Sequence, residues 1–459
     1  MPFDWSSAAV GDFVDLQRGN TYQSALLDKP GPVLLGLASI ERDGGFRSDK
    51  LRTYGGESPD KLLVYPGDIY VSLKDVTQSG DLLGSVARVP SFIAVGRMTQ
   101  DTVKLVFKSE LINRSYLYWV LRTPEYREYC RARGMGTTNL SLSRDDFLSF
   151  PVPKPTPARL SIQRTLDAIE GKITLNRDIC QTLEAMAQAI FKSWFVDFDP
   201  VKAKIAAKAE GRDPLRAAMS AISGKADTEL DTLLPEAFEQ LAATAALFPD
   251  EMQESELGKV PRGWEAKSLD SVANYLNGLA LQKFPPKSAT DFLPVIKIAQ
   301  LRAGHTEGAD KAASDLKLEY VVCDGDVLFS WSGSLEADVW TGGRGALNQH
   351  LFKVTSSTVP KWFYLWATKY HLPEFREIAA NKATTMGHIQ RKHLSDARTA
   401  TPPTEFLSQA SKVLAPLLDE IVSLRLQSRE LAKARDTLLP KLLSGELPVD
   451  ALIESAGAA

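Results

Sequence analysis

A chain of 459 residues with 44% hydrophobic and 24% charged residues exceeds one ordinary domain and has a soluble globular composition, so two to four compact units are expected. Its formal charge of −3, from 54 basic and 57 acidic residues, excludes a protein that holds a polyanion through a general positive excess. No apolar run approaches the ~18 residues of a membrane span and the start MPFDWSSAAVGDF lacks a basic leader and an apolar core, which predicts a cytoplasmic protein.

The first half opens on Trp5 in DWSSAAVGDFVDLQRG, and a related segment, GWEAKSLDSVANYLNG, opens a second half at Trp264. YPGDIYVSLK (65–74) resembles CDGDVLFSWS (323–332); in each, Gly-Asp predicts a turn and the following apolar run a strand. MTQDTVKLVFK (98–108) matches LNQHLFKV (347–354), placing Gln100 against Gln349 before a strand. Aromatic helices follow, SYLYWVLRTPEYREYCRARG and KWFYLWATKYHLPEFREIAANK, with Pro124 and Pro373 predicting a break or a kink. Each half then passes through a polar loop, TTNLSLSRDDF or TMGHIQRKHL, to a Pro-rich exit.

A long helix is predicted after each exit, from Leu166 to Phe191 and from Leu418 to Leu443, and the two align without a gap. Their apolar stripes are Leu166, Ile169, Ile173, Ile179, Leu183, Met186 and Ile190, against Leu418, Ile421, Leu424, Leu431, Leu438 and Leu442. Such stripes pack a helix on a helix. Asn176 and Ser428 occupy the same polar step in the two stripes, as register-fixing residues would. About 26 residues make a rod of about 40 Å, close to one turn of B-DNA. The stretch 197–262 between the halves reads as a partly helical, acidic linker without chemistry of its own.

Catalytic and metal-binding patterns are not found. Cys130, Cys180 and Cys323 stand apart, without disulfide or zinc spacing, and His305, His350, His371, His388 and His393 have no grouped Cys or carboxylate. There is no GxxxxGK[ST] phosphate cradle, no Gly-rich loop after a strand for an adenosyl cofactor, and no Asn-Pro-Pro-aromatic segment for a flipped adenine. The Asp145-Asp146 pair lacks the lysine expected of metal-dependent phosphodiester cleavage and reads as a helix or loop start.

The polar residues suit nucleic acid instead, because Arg pairs with guanine edges, Asn or Gln with adenine, and other basic groups hold phosphates. The candidates in the first half are Lys74, Arg97, Gln100, Arg131, Arg133, Asn139 and Arg144. Those in the second are Arg302, Arg344, Asn348, Gln349, Lys382, His388, Gln390, Arg391 and Lys392.

The central SIQRTLDAIEGKITLNRDICQTLEAMAQAIFKSWFVDFDPVKAK, the transition ESELGKVPRGWE, the TTMGHIQRKHL loop and the terminal ARDTLLPKLLSGEL together give a chain that resembles the specificity subunits of type I restriction-modification systems over nearly its whole length. The resemblance implies an α+β protein with two pseudo-symmetric target-recognition domains, mixed β-sheet plus helices, joined by two long antiparallel helices packed as a coiled coil. In these terms the chain divides into recognition domains 1–155 and 263–403, conserved helices 156–196 and 404–445, the linker 197–262 and a tail 446–459. It further implies a non-catalytic subunit whose domains each read half of a split, asymmetric target in double-stranded DNA, while its helices set the gap and dock two modification subunits. Those partners bind S-adenosylmethionine and methylate adenine; restriction-translocase subunits bring ATP and Mg. The competing expectation is an orphan or anti-restriction scaffold that occupies the modification subunit without reading DNA. The linker is longer than a minimal version of the family needs.

Overall fold

The computed structural model describes residues 4–48, 51–76, 79–136, 139–381 and 387–444. The chain forms two compact units, residues 1–173 with 430–459 and residues 174–429, and the division falls within the two long helices. Both units are α+β, and they share one topology.

In the first unit Val14–Arg18, Thr102–Phe107, Ile69–Ser72 and Val86–Arg88 form an antiparallel sheet in that order. The second unit repeats it with Asn274–Asn277, Leu351–Thr355, Val327–Ser330 and Ala337–Val339. A smaller mixed sheet accompanies each. Val33–Leu35 runs parallel to Gly96–Met98, and Leu293–Ile296 runs parallel to Gly345–Leu347. The central strands, Ile69–Ser72 and Val327–Ser330, are buried at every residue, which explains why their sequences read as apolar runs rather than alternating ones.

The Gly-Asp turns are built alike. Gly67 and Gly325 take φ of 86° and 87°, a left-handed conformation that favours glycine. Asp68 accepts the Tyr65 N–H at 2.8 Å and pairs with Lys104 at 2.5 Å; Asp326 accepts the Cys323 N–H at 2.7 Å and pairs with Lys353 at 2.8 Å. Each lysine lies on the strand beside the central one, so one ion pair locks turn and register together.

The prolines act differently in the two copies. Pro124 starts a new helix, Pro124–Arg133, capped by Thr123 Oγ1, after Arg114–Val120 has ended. Pro373 instead lies inside one uninterrupted helix, Lys361–Ala380.

The long helices begin well before the apolar stripes at Leu166 and Leu418; the first ends past Phe191 and the second short of Leu443. The first runs Pro157–Phe195 over 39 residues and the second Thr404–Leu438 over 35, about 58 and 52 Å at a rise of ~1.5 Å per residue. The first continues because Phe191, Trp194 and Phe195 bury themselves in the aromatic core of the second unit, against Trp362, Phe363 and Phe406. The second ends before Pro440, and among the described residues the short helix Lys441–Ser444 follows it.

Their packing is antiparallel: Asn176 Nδ2 donates to Gln427 Oε1 at 2.8 Å and Ser428 Oγ at 3.2 Å, and Cys180 lies against Ile421. Asn176 is wholly buried, and its Oδ1 has no hydrogen-bond partner. Cys180, Ile421 and Leu424 form the dry part of this seam, with Ile179 and Leu183 packed on it. Leu166, Leu438 and Leu442 enter the core of the first unit, with Ile169 beside them, and Leu418 that of the second. Ile173, Ile190 and Leu431 are half-buried. Met186 is a correction: it is 48% exposed, because four residues on from Leu183 the buried face passes through Ala187 and then Phe191.

Charge fixes each sheet to a helix. Arg88 and Arg122 bond Glu170 on the first long helix, at 2.6 and 2.7 Å, and Asp167 accepts from Arg88, Ser115 and the Trp119 indole. Burial pushes the Glu170 carboxyl up, but Arg122 and Arg88 prevail and hold it below its ordinary range. In the second unit burial likewise opposes ionisation of Asp338, and Lys369 and Arg425 overcome it.

The stretch 197–262 is folded rather than extended. Phe198, at φ 57°, turns the chain into Asp199–Ala209 and packs on Trp264. Helices Pro214–Ser223, Asp227–Leu230 and Pro235–Ala246 surround a small core of Ala218, Met219, Leu230 and Ala245. Arg216 clamps Asp227 and Asp231 beside it.

The anchoring carboxylates make acid stability predictable. Their folded-state pKa values are depressed, so their contribution is complete above the unfolded value of ~4 and is lost as pH falls through the folded values. Glu170→Gln, which leaves Arg122 buried without its counter-charge, is expected to destabilise the first unit by about 3 kcal/mol at pH 7 and less at pH 3. Thermal melts at both pH values check this; equal losses at the two would contradict it. A second expectation concerns Gly19 and Gly278, where a Cβ would sit 2.0 Å from the Thr99 carbonyl oxygen and 2.3 Å from that of Asn348. Gly278→Ala should open that strand crossing and speed amide hydrogen exchange at Leu279 and Gln349, whose N–H groups are bonded there. Unchanged exchange would show that the close approach is not needed.

Candidate nucleic-acid interfaces

Three segments distant in sequence meet at one end of the main sheet of each unit. In the second unit the central strand runs out into Trp331 and Ser332, the strand Gly345–Leu347 into Asn348, Gln349 and His350, and the loop at 387–390 closes over both. Backbone bonds hold the loop: Ile389 N–H donates to Trp331 O at 2.9 Å, and Gly333 N–H to Gly387 O at 2.8 Å. The Trp331 indole N–H bonds Asn277 Oδ1 at 3.0 Å and Gln349 O at 3.1 Å. The His350 ring, 5.8 Å from that of Trp331, bonds Ser332 Oγ through Nδ1 at 3.0 Å and faces the Gln349 amide through Nε2 at 3.4 Å. His388 pairs with Ser332 along the backbone, and its ring stands edge-on to Trp331 at 6.3 Å.

The first unit builds the same end from different side chains. Lys74 follows the central strand, Gln100 and Asp101 follow Gly96–Met98, and the strand Leu140–Ser141 pairs with Lys74-Asp75. Leu142 N–H donates to Leu73 O at 2.9 Å, the counterpart of the Ile389 bond to Trp331. Lys74 and Asp101 form an ion pair at 3.5 Å. Gln100 and Asn139 are exposed beside it.

Several basic candidates serve the fold instead. Arg144 donates to Leu16 O at 2.7 Å and Arg391 to Tyr275 O at 3.1 Å; each arginine opens the short helix after the loop and ties it to a carbonyl on the matching edge strand. Arg97 is 3% exposed, stacks on Tyr54 at 4.7 Å and donates to Thr21 O. Arg131 is drawn to Asp43, and Arg133 lies 3.7 Å over the Tyr129 ring. Arg302 points to Ser334 Oγ at 3.5 Å, near the loop, whereas Arg344 precedes the strand that Gln349 follows and so sits at its other end. Asn348 is buried, with Oδ1 accepting the His350 N–H. Gln390 caps Arg391–Asp396, and Gln390 and Lys392 are exposed; Lys382 lies outside the described residues.

Trp331, Ser332, Asn277 and Asp101 escaped the sequence reading, and His350 was not singled out. The signal was present: Ser332 and His350 are the aligned counterparts of Lys74 and Asp101 in the two repeated segments. Among the described residues no group of three or more His, Cys, Asp or Glu is placed to hold a metal ion, and no helix is long and apolar enough to cross a membrane.

No protein-family model matches the chain. It is 29% identical to the type I restriction enzyme HindI specificity subunit of Haemophilus influenzae, over 74% of this chain and 78% of that protein. It is 22% identical to the MjaIX specificity subunit of Methanocaldococcus jannaschii, over 98% of this chain and 95% of that one. A solved structure of a type I restriction-modification S subunit from M. genitalium superimposes with a TM-score of 0.48 and 13% identity, covering 96% of both chains. With two copies of one α+β topology, a pair of long antiparallel helices and a divergent polar end on each sheet, the chain resembles the specificity subunits of type I restriction enzymes over nearly its whole length.

Proposed function

We propose that this chain is the DNA-specificity subunit of a type I restriction-modification complex, each unit reading one half of a split, asymmetric target in double-stranded DNA. The observation that carries this is the polar end built twice on one scaffold: backbone placement and one glutamine, Gln100 or Gln349, are repeated while the side chains around that glutamine differ. Direct readout requires donors and acceptors held at fixed positions, and rigid strand ends with short loops meet that need. The long helices set the gap between half-sites and dock two modification subunits. Methyl transfer from S-adenosylmethionine, and ATP- and Mg-dependent translocation and cleavage, reside in the partners; this chain is itself non-catalytic. Partners that hold the phosphates also account for a recognition subunit whose own charge is −3.

Reconstitution with a modification subunit, followed by selection from a randomised DNA pool, is expected to enrich a two-part motif with a fixed gap. Capture of the modification subunit with no enriched motif would favour the scaffold reading instead. Exchange of residues 1–155 for the matching domain of a relative is expected to alter one half of the motif and leave the other; a change in both halves would contradict modular reading.

A further inference from the structure

We infer that positions 74 with 101, and 332 with 350, are specificity-determining pairs, each acting as a unit on the glutamine beside it; this rests on the proposed DNA readout. The pairs occupy equivalent places, one residue after the central strand and one after the glutamine-bearing turn. In both units the two members touch, Lys74 with Asp101 at 3.5 Å and Ser332 with His350 at 3.0 Å. The scaffold around them is the same, down to the loop bonds from Leu142 and Ile389. What differs is the chemistry: an exposed ion pair in one unit, a hydroxyl with an imidazole in the other.

The second pair shows how such a unit acts. Ser332 Oγ and the Gln349 carboxamide meet the two ring nitrogens of His350, so in the tautomer that carries its proton on Nδ1 the ring donates to Ser332 Oγ and accepts the Gln349 N–H at Nε2. The Trp331 indole fixes the Gln349 backbone carbonyl at the same time. In that tautomer, and among the described residues, Gln349 keeps one N–H and its Oε1, the donor–acceptor pair that matches the N7 and N6 edge of adenine. In the first unit Gln100 stands next to a carboxylate and an ammonium instead, which present a different field to the same groove edge. A single substitution removes the contact without supplying the chemistry of the other unit's pair, so a new preferred base is expected only when both change.

The test uses the full chain assembled with its modification subunit and a randomised DNA pool, comparing wild type with the exchanged pairs S332K/H350D and K74S/D101H. Each double variant is expected to change the preferred base in its own half of the motif and to leave the other half intact. H350D alone should weaken binding at least tenfold without producing a new motif. Since Ser332 is buried, a lysine there can unfold the second unit; the Lys74 and Asp101 side chains are 48% and 29% exposed, and K74S/D101H then carries the test. A wild-type split motif that K74S/D101H leaves unchanged would overturn the inference while the function stands. A wild type that enriches no motif would overturn both.

Discussion

The polar end of each sheet exists because two backbones cross there at a distance no side chain tolerates. Gly19 lies against Thr99 and Gly278 against Asn348, so the edge strand passes directly over the turn that carries Gln100 or Gln349. The crossing pins that turn to the strand after it, and the loop from the far side of the domain then docks on the central strand's exit. Everything proposed about recognition depends on that convergence. A side chain at either glycine would have to displace the turn, since its Cβ would sit 2.0 Å from the Thr99 carbonyl oxygen or 2.3 Å from that of Asn348.

Charge is distributed in a way the net value hides. Arg88, Arg122 and Arg425 are committed to carboxylates that anchor sheets to helices. Arg97, Arg144 and Arg391 are committed to backbone carbonyls. The sheet end in the second unit is composed mainly of neutral donors, acceptors and rings. Such a surface discriminates better than it attracts.

Much of the architecture could be read in the amino acids. The duplication, the Gly-Asp turns, the strand starts and the helix pair follow from self-similarity and periodicity, and Asn176 meets Ser428 as their shared step implied. The helix limits were less legible, because burial of Phe191, Trp194 and Phe195 in a distant core extends a helix beyond its amphipathic stripe. Met186 failed for the related reason that a stripe of 3.6 periodicity drifts across its apolar positions, and Ala187 gives no hydrophobic signal. Among the polar candidates, composition could not separate an arginine aimed at solvent from Arg144 or Arg391, whose carbonyl partners lie more than a hundred residues away.

Buried at the helix seam, Asn176 also limits how the rod can change. Sliding one helix along the other would face its amide with leucine and isoleucine, leaving donors as well as Oδ1 unsatisfied, at ~1–3 kcal/mol for each stranded group. The rod therefore has no continuous adjustment. Its length changes only by gain or loss of residues, and each added residue advances the axis by about 1.5 Å while turning all that follows by about 100°. Additions of three or four residues nearly restore the rotational phase, and seven restore it better. Viable lengths of the helix pair thus form a sparse series of steps set by helix geometry.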